Sequence, residues 1–393
     1  MPATDPPPPA PEPPAAARPA ADRYVLLGPG DPAPWFHQRS AANPRYAFDT
    51  AAGRYLVLCF FASAADPAGR AALAAVTAGR ERFDDVRASF FGVSLDPEDE
   101  VRARIADSLP GLRYFFDFDG TIARLYGAIP HAARPDAADL AVRRFWLVLD
   151  PTMRVLARIP FAADGSDHAA LFRLLDALPP PERFAGVELQ APVLYLPNVF
   201  EPEFCARLIE FYESQGGTES GFMREVDGKT RLITDPAFKR RRDVTIADEA
   251  LIRETQLRIS RRVAPEIAKV HQFQVTRMER YIVSCYAAED AAHFRPHRDN
   301  TTRGTAHRRF AVSINLNAGF EGGEVSFPEY GARGFKAPPG AAVVFSCSLL
   351  HAVSRVTDGR RYAFLPFLYD DAAAKLREAN NAHLGDGVGQ YRS

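Results

Sequence analysis

The sequence lacks most features that would tie a protein to a membrane, to nucleic acid or to an oxidising compartment. No apolar run reaches the length of a transmembrane helix, which needs about 20 residues. The 48 Lys+Arg against 49 Asp+Glu leave a formal net charge of -1, which creates no overall field toward anionic polymers. The four cysteines contain no CxxC pair, so neither zinc nor a disulfide framework is indicated. We therefore expect a cytoplasmic protein that binds neither membrane nor nucleic acid.

Composition divides the chain into several segments. Residues 1–22 are mostly Pro and Ala, without a basic start or an apolar stretch, which predicts a disordered tail rather than a signal peptide. The remaining length exceeds one ordinary core, and the stiff LPPPER segment at 178–183 predicts a boundary. The predicted parts are a first domain at 23–178, a linker at 179–188, a second domain at 189–371 and a C-terminal tail at 372–393.

Short apolar runs alternate with helical stretches in the first domain. Strands are predicted at 54–62, 88–95 and 144–149, with helices at 66–82 and 98–108. This β-α-β-α-β order predicts an α/β sheet layered by helices.

Helices precede a run of short strands in the second domain. A strand is predicted at 193–199, a helix at 201–215 and one or two helices within 248–273. Strands separated by turns follow, at 281–286, 310–317, 323–328, 341–346, 351–356 and 362–368. This succession predicts a compact β-sandwich or jelly roll with helices packed outside it. Segment 216–248 is predicted as a solvated loop, with a lid over a site as the alternative.

Four polar side chains in the second domain suit metal chemistry. His297 and Asp299 stand two positions apart, so on an extended segment both leave from the same face. His351 can complete a two-histidine, one-carboxylate set, which suits iron(II) with open positions and also catalytic zinc. The guanidinium of Arg361 can clamp the far carboxylate of a chelating keto acid. That arginine favours iron with a keto-acid cosubstrate over hydrolytic zinc.

Longer strings surround these residues in a specific order. They are HRDN at 297–300, FAVSINLN at 310–317, FEGGE at 320–324, PGAAVVF at 339–345 and HAVSRVTDGRRY at 351–362. The stretch that contains them resembles the prolyl 4-hydroxylase-like 2-oxoglutarate- and iron(II)-dependent dioxygenases. The resemblance implies a double-stranded β-helix fold, iron ligands His297, Asp299 and His351, and a cosubstrate clamp at Arg361. The prolyl hydroxylases proper have lysine at this last position.

The same resemblance gives roles to further side chains. Tyr286 matches a tyrosine that lines the cosubstrate pocket, Asn315 a residue beside the distal carboxylate, and Arg309 a position facing the pocket near the substrate. Polar contacts within strands are the alternative for Asn315 and Arg309. His293 and His307 lack a carboxylate at the right offset and are predicted to be surface or supporting residues.

The resemblance implies an activity with defined cofactors. The expected reaction hydroxylates a C–H bond of a peptidyl, prolyl-type or small-molecule substrate, consumes O2 and releases succinate and CO2. The implied cofactors are Fe(2+) and 2-oxoglutarate, with ascorbate as an additional binder. Two alternatives stay open: an idle binding or sensor protein that retains the metal site, and a thiol peroxidase acting through the first domain.

Strings of the first domain point to a second family. DPAPWF at 31–36, GVSLD at 92–96 and the strand ending at Asp150 resemble peroxiredoxins of the AhpC/TSA type, which implies a thioredoxin-like fold. A peroxiredoxin needs a thiolate at the start of the helix after its first buried strand, where this chain has ASAADP at 62–67. Cys59 falls inside the predicted strand, so we expect no catalytic thiol. We expect the domain to dock a protein partner, present a substrate or form an oligomer contact.

Overall fold

Two compact units make up the chain in the computed structural model, and they divide between Leu178 and Pro179. The structure describes residues 24–137 and 139–392, so the tail predicted at 1–22 lies outside the described residues. No helix in the described part of the chain has the length and apolar character that crossing a membrane requires.

The first unit is a sheet with helices. Its strands are β1 (His37–Gln38), β2 (Tyr46–Ala47), β3 (Tyr55–Ala62), β4 (Ala88–Ser94), β5 (Leu112–Phe116), β6 (Phe145–Leu149) and β7 (Val155–Pro160). Its helices are α1 (Pro67–Ala78), α2 (Pro97–Val101), α3 (Thr121–Leu125) and α4 (Ser166–Ala177). The main sheet has the order β5-β4-β3-β6-β7, with β3 parallel to β4 and antiparallel to β6. Every residue of β3, β4 and β6 is buried, as expected for continuous apolar runs covered on both faces.

The predicted helix at 98–108 is too long. Helix α2 ends at Val101 because Ala103 adopts a left-handed backbone with φ 48°, which a right-handed helix cannot accommodate. Arg104 then folds back and donates to the carboxylates of Asp96 and Asp99, each at 3.1 Å.

An ion pair lies where a peroxiredoxin would hold its reactive thiolate. Asp66, the residue before α1, pairs with Arg144, whose Nε also donates to the carbonyl of Phe61. Cys59 in β3 is 0% exposed, and burial raises the pKa of its thiol well above the usual value. A thiolate nucleophile needs the opposite environment, with access and a lowered pKa.

The second unit contains four α-helices, three before its main run of strands and one after it. Its helices are α5 (Pro202–Gln215), α6 (Glu249–Arg262), α7 (Ala264–His271) and α8 (Asp371–Ala379). The stretch predicted as one or two helices is two, because α7 starts afresh with Pro265 in its first turn.

Most of the second unit is β-structure. Its strands are β8 (Leu194–Leu196), β9 (Thr218–Glu219), β10 (Phe222–Val226), β11 (Lys229–Ile233), β12 (Lys239–Arg240), β13 (Arg242–Thr245), β14 (Arg277–Glu279), β15 (Ile282–Ala287), β16 (His293–His297), β17 (Phe310–Asn315), β18 (Phe320–Glu321), β19 (Val325–Ser326), β20 (Gly334–Phe335), β21 (Ala342–Ser346), β22 (His351–Val353), β23 (Asp358–Phe364) and β24 (Phe367–Tyr369).

Two sheets of the second unit enclose a common core. The larger sheet has the order β14-β24-β17-β23-β15-β13-β9, with β21 added on β17 and β8 on β21. The smaller sheet has the order β12-β16-β22-β19-β20. Tyr286 and Val343 from the larger sheet share one apolar cluster with Phe294 and Val353 from the smaller, so the two sheets face each other across this core. The arrangement is the predicted double-stranded β-helix with flanking helices.

Segment 216–248 is not the solvated loop that its polar sequence suggests. It forms β9 to β13, and β13 pairs with β15 of the larger sheet. Lys239 and Arg241 are buried, although runs of cationic residues are usually solvated. The reason is that Asp243 and Ser220 lie within hydrogen-bond distance of Arg241, at 2.7 and 3.3 Å, so its charge has polar partners inside the protein.

Candidate metal centre

Three predicted ligands meet where β16 ends and β22 begins, on two neighbouring strands of the smaller sheet. His297 ends β16 and stands directly opposite His351, the first residue of β22. Asp299 follows β16, where its backbone N–H donates to the carbonyl of Cys347 at 2.9 Å. The Asp299 carboxylate lies 3.6 Å from Nε2 of His297 and 3.3 Å from Nε2 of His351. One nitrogen or oxygen from each residue falls within 4.8 Å of the others, so the three can bind one metal ion.

Hydrogen bonds orient both imidazole rings toward Asp299. Nδ1 of His297 bonds the carbonyl of Arg295 at 2.8 Å, and Nδ1 of His351 bonds that of Leu349 at 3.0 Å. Since a carbonyl can only accept, each Nδ1 carries the proton and each Nε2 presents a lone pair. This is the arrangement in which a backbone partner fixes the tautomer of a metal-binding histidine.

The protonation states of these side chains also favour binding of a metal cation. Burial, and then the neighbouring His351, lower the pKa of His297 to about 4, so its imidazole is neutral at pH 7. Burial alone would raise the pKa of Asp299, but His351 and His297 hold it well below its usual range. A neutral imidazole and an ionised carboxylate are the forms that bind metals.

Glu329, which the sequence did not indicate, links the two ligand-bearing segments. Its carboxylate accepts from Nη2 and Nη1 of Arg298 at 3.0 and 3.2 Å, and Arg298 stands between His297 and Asp299. The same carboxylate accepts from the backbone N–H of Leu350, just before His351, at 3.2 Å. Glu329 is 31 residues from Arg298, so no local spacing could reveal the contact.

Replacing Glu329 with glutamine is expected to weaken metal binding about 10- to 100-fold, the usual effect of losing a group that orients metal ligands. The amide keeps the shape of the carboxylate but removes the negative charge that faces Arg298. Calorimetric titration with Mn(II), on protein whose fold is checked by circular dichroism, measures the change. Glu321→Gln is the matched control, because Glu321 is exposed and pairs with Lys336. Equal Mn(II) affinities of the two folded variants would contradict the role of Glu329.

Arg361 lies in β23 with one part of its guanidinium unsatisfied. Its Nε donates to Oδ1 of Asn315 and its Nη2 to Oγ of Ser313, both at 2.8 Å. The residue is 1% exposed, yet Nη1 has no hydrogen-bond partner among the described residues. A buried donor left unpaired is costly, and burial lowers the pKa of this arginine. A carboxylate placed at Nη1 would remove both penalties.

Tyr286 and Asn315 lie beside this guanidinium. Tyr286 is the cross-strand neighbour of Arg361, whose guanidinium carbon is 5.2 Å from the tyrosine ring centre. The Tyr286 hydroxyl accepts from Nη1 of Arg241 at 3.2 Å. Asn315 donates to the carbonyl of Ala337 at 2.7 Å while it accepts from Arg361, so it orients the arginine.

Arg309, His293 and His307 make their contacts away from the three predicted ligands. Arg309 donates through Nη1 to the carbonyl of Ala306 at 2.8 Å. The ring nitrogens of His293 lie 3.0 and 3.3 Å from the carbonyls of Ala291 and Ala237. His307 is buried, with Nε2 3.1 Å from the carboxylate of Glu279, so it supports the interior rather than the surface.

The residues present fit a ferrous ion with 2-oxoglutarate. Two imidazoles and one carboxylate are a ligand set that suits iron(II), and they would leave positions open for a chelating keto acid. The unpaired Nη1 of Arg361 suits the distal carboxylate of such a molecule.

The fold and the site define the class of a double-stranded β-helix with a two-histidine, one-carboxylate face. The sequence profile of the 2OG-Fe(II) oxygenase superfamily matches residues 274–369, which include the three predicted ligands and Arg361. The profile of the AhpC/TSA family matches residues 29–158. The resemblance of each domain to its family is therefore confirmed. The superfamily match implies Fe(II) and 2-oxoglutarate for the second unit.

Similar solved structures include members of the same two groups. A prolyl hydroxylase from Trichoplax adhaerens, in complex with a hypoxia inducible factor oxygen degradation domain peptide fragment, is 16% identical over 47% of this chain and 85% of its own, with a TM-score of 0.37. The viral collagen prolyl hydroxylase of Paramecium Bursaria Chlorella virus-1 is 16% identical over 45% and 94%, with a TM-score of 0.34. Peroxidoxin BcpB from Mycobacterium tuberculosis is 23% identical over 38% and 96%, with a TM-score of 0.31. No curated protein matches the sequence.

Proposed function

We propose that the chain is an iron(II)- and 2-oxoglutarate-dependent dioxygenase that hydroxylates a C–H bond through the domain at 189–371, which lies within its second unit. The observation that carries the proposal is the combination of the His297, Asp299 and His351 cluster with the unpaired Nη1 of Arg361. A set of three metal-binding residues alone suits several reactions, and a buried arginine alone suits several ligands. Together they match the two ends of one dicarboxylate cosubstrate.

The protein's own residues bind and orient in this proposal. His297, Asp299 and His351 hold the iron, and Arg361 binds the distal carboxylate of 2-oxoglutarate with Asn315 fixing its direction. When bound, iron and 2-oxoglutarate supply O2 activation coupled to decarboxylation, with succinate and CO2 released. Phe294 stacks on His297 with ring centres 3.5 Å apart, and Phe345 lies 4.7 Å from His351. These rings keep water from the buried side of the ligands.

The chain in this proposal acts on either a peptidyl, prolyl-type substrate or a small molecule. Ascorbate would serve as a reductant that keeps the iron ferrous. The first unit has an Asp66–Arg144 ion pair in place of a thiolate, which counts against peroxide reduction. Its proposed role is to dock a partner, present a substrate or form an oligomer contact.

Anaerobic addition of Fe(II) and 2-oxoglutarate tests the proposal directly. The expected result is a visible charge-transfer absorption that requires both additions, because it arises only when the keto acid chelates the ferrous ion. Admission of O2 should then convert 2-oxoglutarate to succinate. Zn(II) in place of Fe(II) is the control and should give neither the band nor succinate. Folded protein that binds Fe(II) without developing the band would refute the proposal, and a band without succinate would indicate an idle binding protein.

A further inference from the structure

Three hydrogen-bond donors around one buried tyrosine have no acceptor among the described residues. Nη1 of Arg361 and Nε of Arg241 are buried without a partner. The hydroxyl of Tyr286, a residue that is 1% exposed, accepts from Nη1 of Arg241 at 3.2 Å but donates to no residue that the structure describes. An unmade hydrogen bond in the interior is costly and therefore rare. Three such donors together indicate a place for acceptors that a ligand brings.

The ring of Tyr286 holds these donors in one region of the second unit. The guanidinium carbon of Arg361 lies 5.2 Å from the ring centre, and that of Arg241 lies 5.5 Å from it. Tyr286 also belongs to the same apolar cluster as Phe294, which stacks on His297 with ring centres 3.5 Å apart. Tyr286 therefore shares its surroundings with both the proposed cosubstrate clamp and a proposed metal ligand.

Arg241 is held in one orientation by polar partners on its far side. Its Nη2 lies 2.7 Å from Oδ2 of Asp243 and 3.3 Å from Oγ of Ser220. The Asp243 oxygen is shared, because Ser220 also donates to it and Nη2 of Arg280 lies 3.5 Å away. Burial alone would lower the pKa of Arg241, but the Asp243 carboxylate raises it above its usual value. The guanidinium therefore stays protonated, with its fork fixed between Asp243 and Tyr286.

The contact with Arg241 determines where the Tyr286 hydroxyl can point its proton. A guanidinium has donors and no acceptor, so the tyrosine oxygen accepts at Nη1 and its own proton points elsewhere. Arg361 faces the same ring and is also only a donor, so it cannot accept that proton. The partner that both Tyr286 and Arg361 lack is an acceptor, and one carboxylate has enough lone pairs for the two of them.

We infer that Arg241 is a positioning residue for the cosubstrate, because it fixes the Tyr286 hydroxyl so that this group donates its proton to an oxygen of 2-oxoglutarate bound beside Arg361. The inference rests on the proposed function and gives a role to a residue of the basic run that was predicted to be solvated. A hydroxyl that is already oriented loses little freedom when the cosubstrate binds, so more of the hydrogen-bond energy appears as affinity.

Calorimetric titration of the Mn(II)-loaded protein with 2-oxoglutarate tests this role without turnover. Tyr286→Phe is expected to raise the Kd about tenfold, because one hydrogen bond to a charged group is lost. Arg241→Met should raise the Kd about fivefold or more in the wild-type background, but less than about twofold in the Tyr286→Phe background. A double-mutant cycle of this form measures what one residue does through the other.

The cycle distinguishes positioning from a general effect of charge or folding. Equal factors for Arg241→Met in the two backgrounds would mean that Arg241 acts independently of the tyrosine hydroxyl, and would overturn the inference. An unchanged Kd in folded Arg241→Met or Tyr286→Phe would also overturn it. Wild-type protein that binds no 2-oxoglutarate would refute the proposed function as well, so the two failures are distinguishable.

Two further variants keep the test independent of folding, which circular dichroism checks. Arg241→Lys retains the charge that Asp243 faces but lacks the planar fork. It should raise the Kd about threefold in the wild-type background and leave it unchanged in the Tyr286→Phe background, and this pair decides the question if Arg241→Met does not fold. Arg242→Gln is the matched control, because Arg242 is exposed and donates to the carbonyl of Gly217 at 2.9 Å. It should keep the wild-type Kd within about twofold.

Discussion

Replacing His297 with alanine is expected to lower 2-oxoglutarate-dependent succinate release more than about 100-fold, since even groups that only orient metal ligands are worth about 10- to 100-fold. The substitution removes one of three proposed ligands, and the remaining histidine and carboxylate bind iron weakly. The charge-transfer band should disappear at the same iron concentration. Coupled succinate detection and anaerobic absorption spectroscopy on one preparation measure both effects.

His293→Ala is the matched control for this prediction. His293 begins the same strand that His297 ends, and its ring bonds backbone carbonyls rather than Asp299. The His293→Ala variant should keep the charge-transfer band and should release succinate at a rate within a few-fold of the wild type. Loss of succinate release in both variants to the same extent would point to disruption of β16 and count against His297 as an iron ligand.

Replacing Arg361 with methionine is expected to raise the Kd for 2-oxoglutarate about 100-fold, which corresponds to about 2.7 kcal/mol. Methionine fills the space but offers nothing to the distal carboxylate. The free energy of unfolding without cosubstrate should change by less than about 2 kcal/mol, because the lost hydrogen bonds to Ser313 and Asn315 are offset by removal of a buried, unpaired donor. Anaerobic titration of the charge-transfer band gives the Kd, and urea unfolding gives the stability.

Two further variants test the specificity of that effect. Arg360→Met changes the neighbouring residue, which is half exposed and pairs with Glu289, and it should leave the Kd for 2-oxoglutarate within twofold. Arg361→Lys keeps the charge without the fork and should give an intermediate Kd. If Arg361→Met bound 2-oxoglutarate as tightly as the wild type, the cosubstrate clamp would lie elsewhere.

The positions of strands along the chain were predictable where apolar residues run without interruption. Strands β3, β4 and β6 are buried on both faces, so their composition alone marks them. Strands β9 to β13 were missed because they are short and polar, and their burial depends on partners far along the chain. Arg242 of β13, for example, pairs with Cys285 of β15, a contact that no local pattern contains.

The candidate metal centre was likewise predictable only in part. The HxD spacing places His297 and Asp299 on one face by the geometry of an extended chain, and this much is local. The meeting with His351 depends on the pairing of β16 with β22, and the sequence pointed to it only through the resemblance to a known family. Glu329 had no such signal. It contacts Arg298 and Leu350, which are distant in sequence and adjacent only in the folded protein.

The sequence by itself determined the two-domain architecture and the residue types at the candidate metal centre, because composition and motif spacing are local properties. The particular fold of each domain was predicted through its resemblance to a known family. Only the tertiary structure decided which polar groups share a buried space and which of them remain unpaired. The free Nη1 of Arg361 and the shared carboxylate of Asp243 arise from strand pairings over long sequence separations. Charge balance inside a protein depends on such distances, and distances between remote residues exist only once the chain has folded.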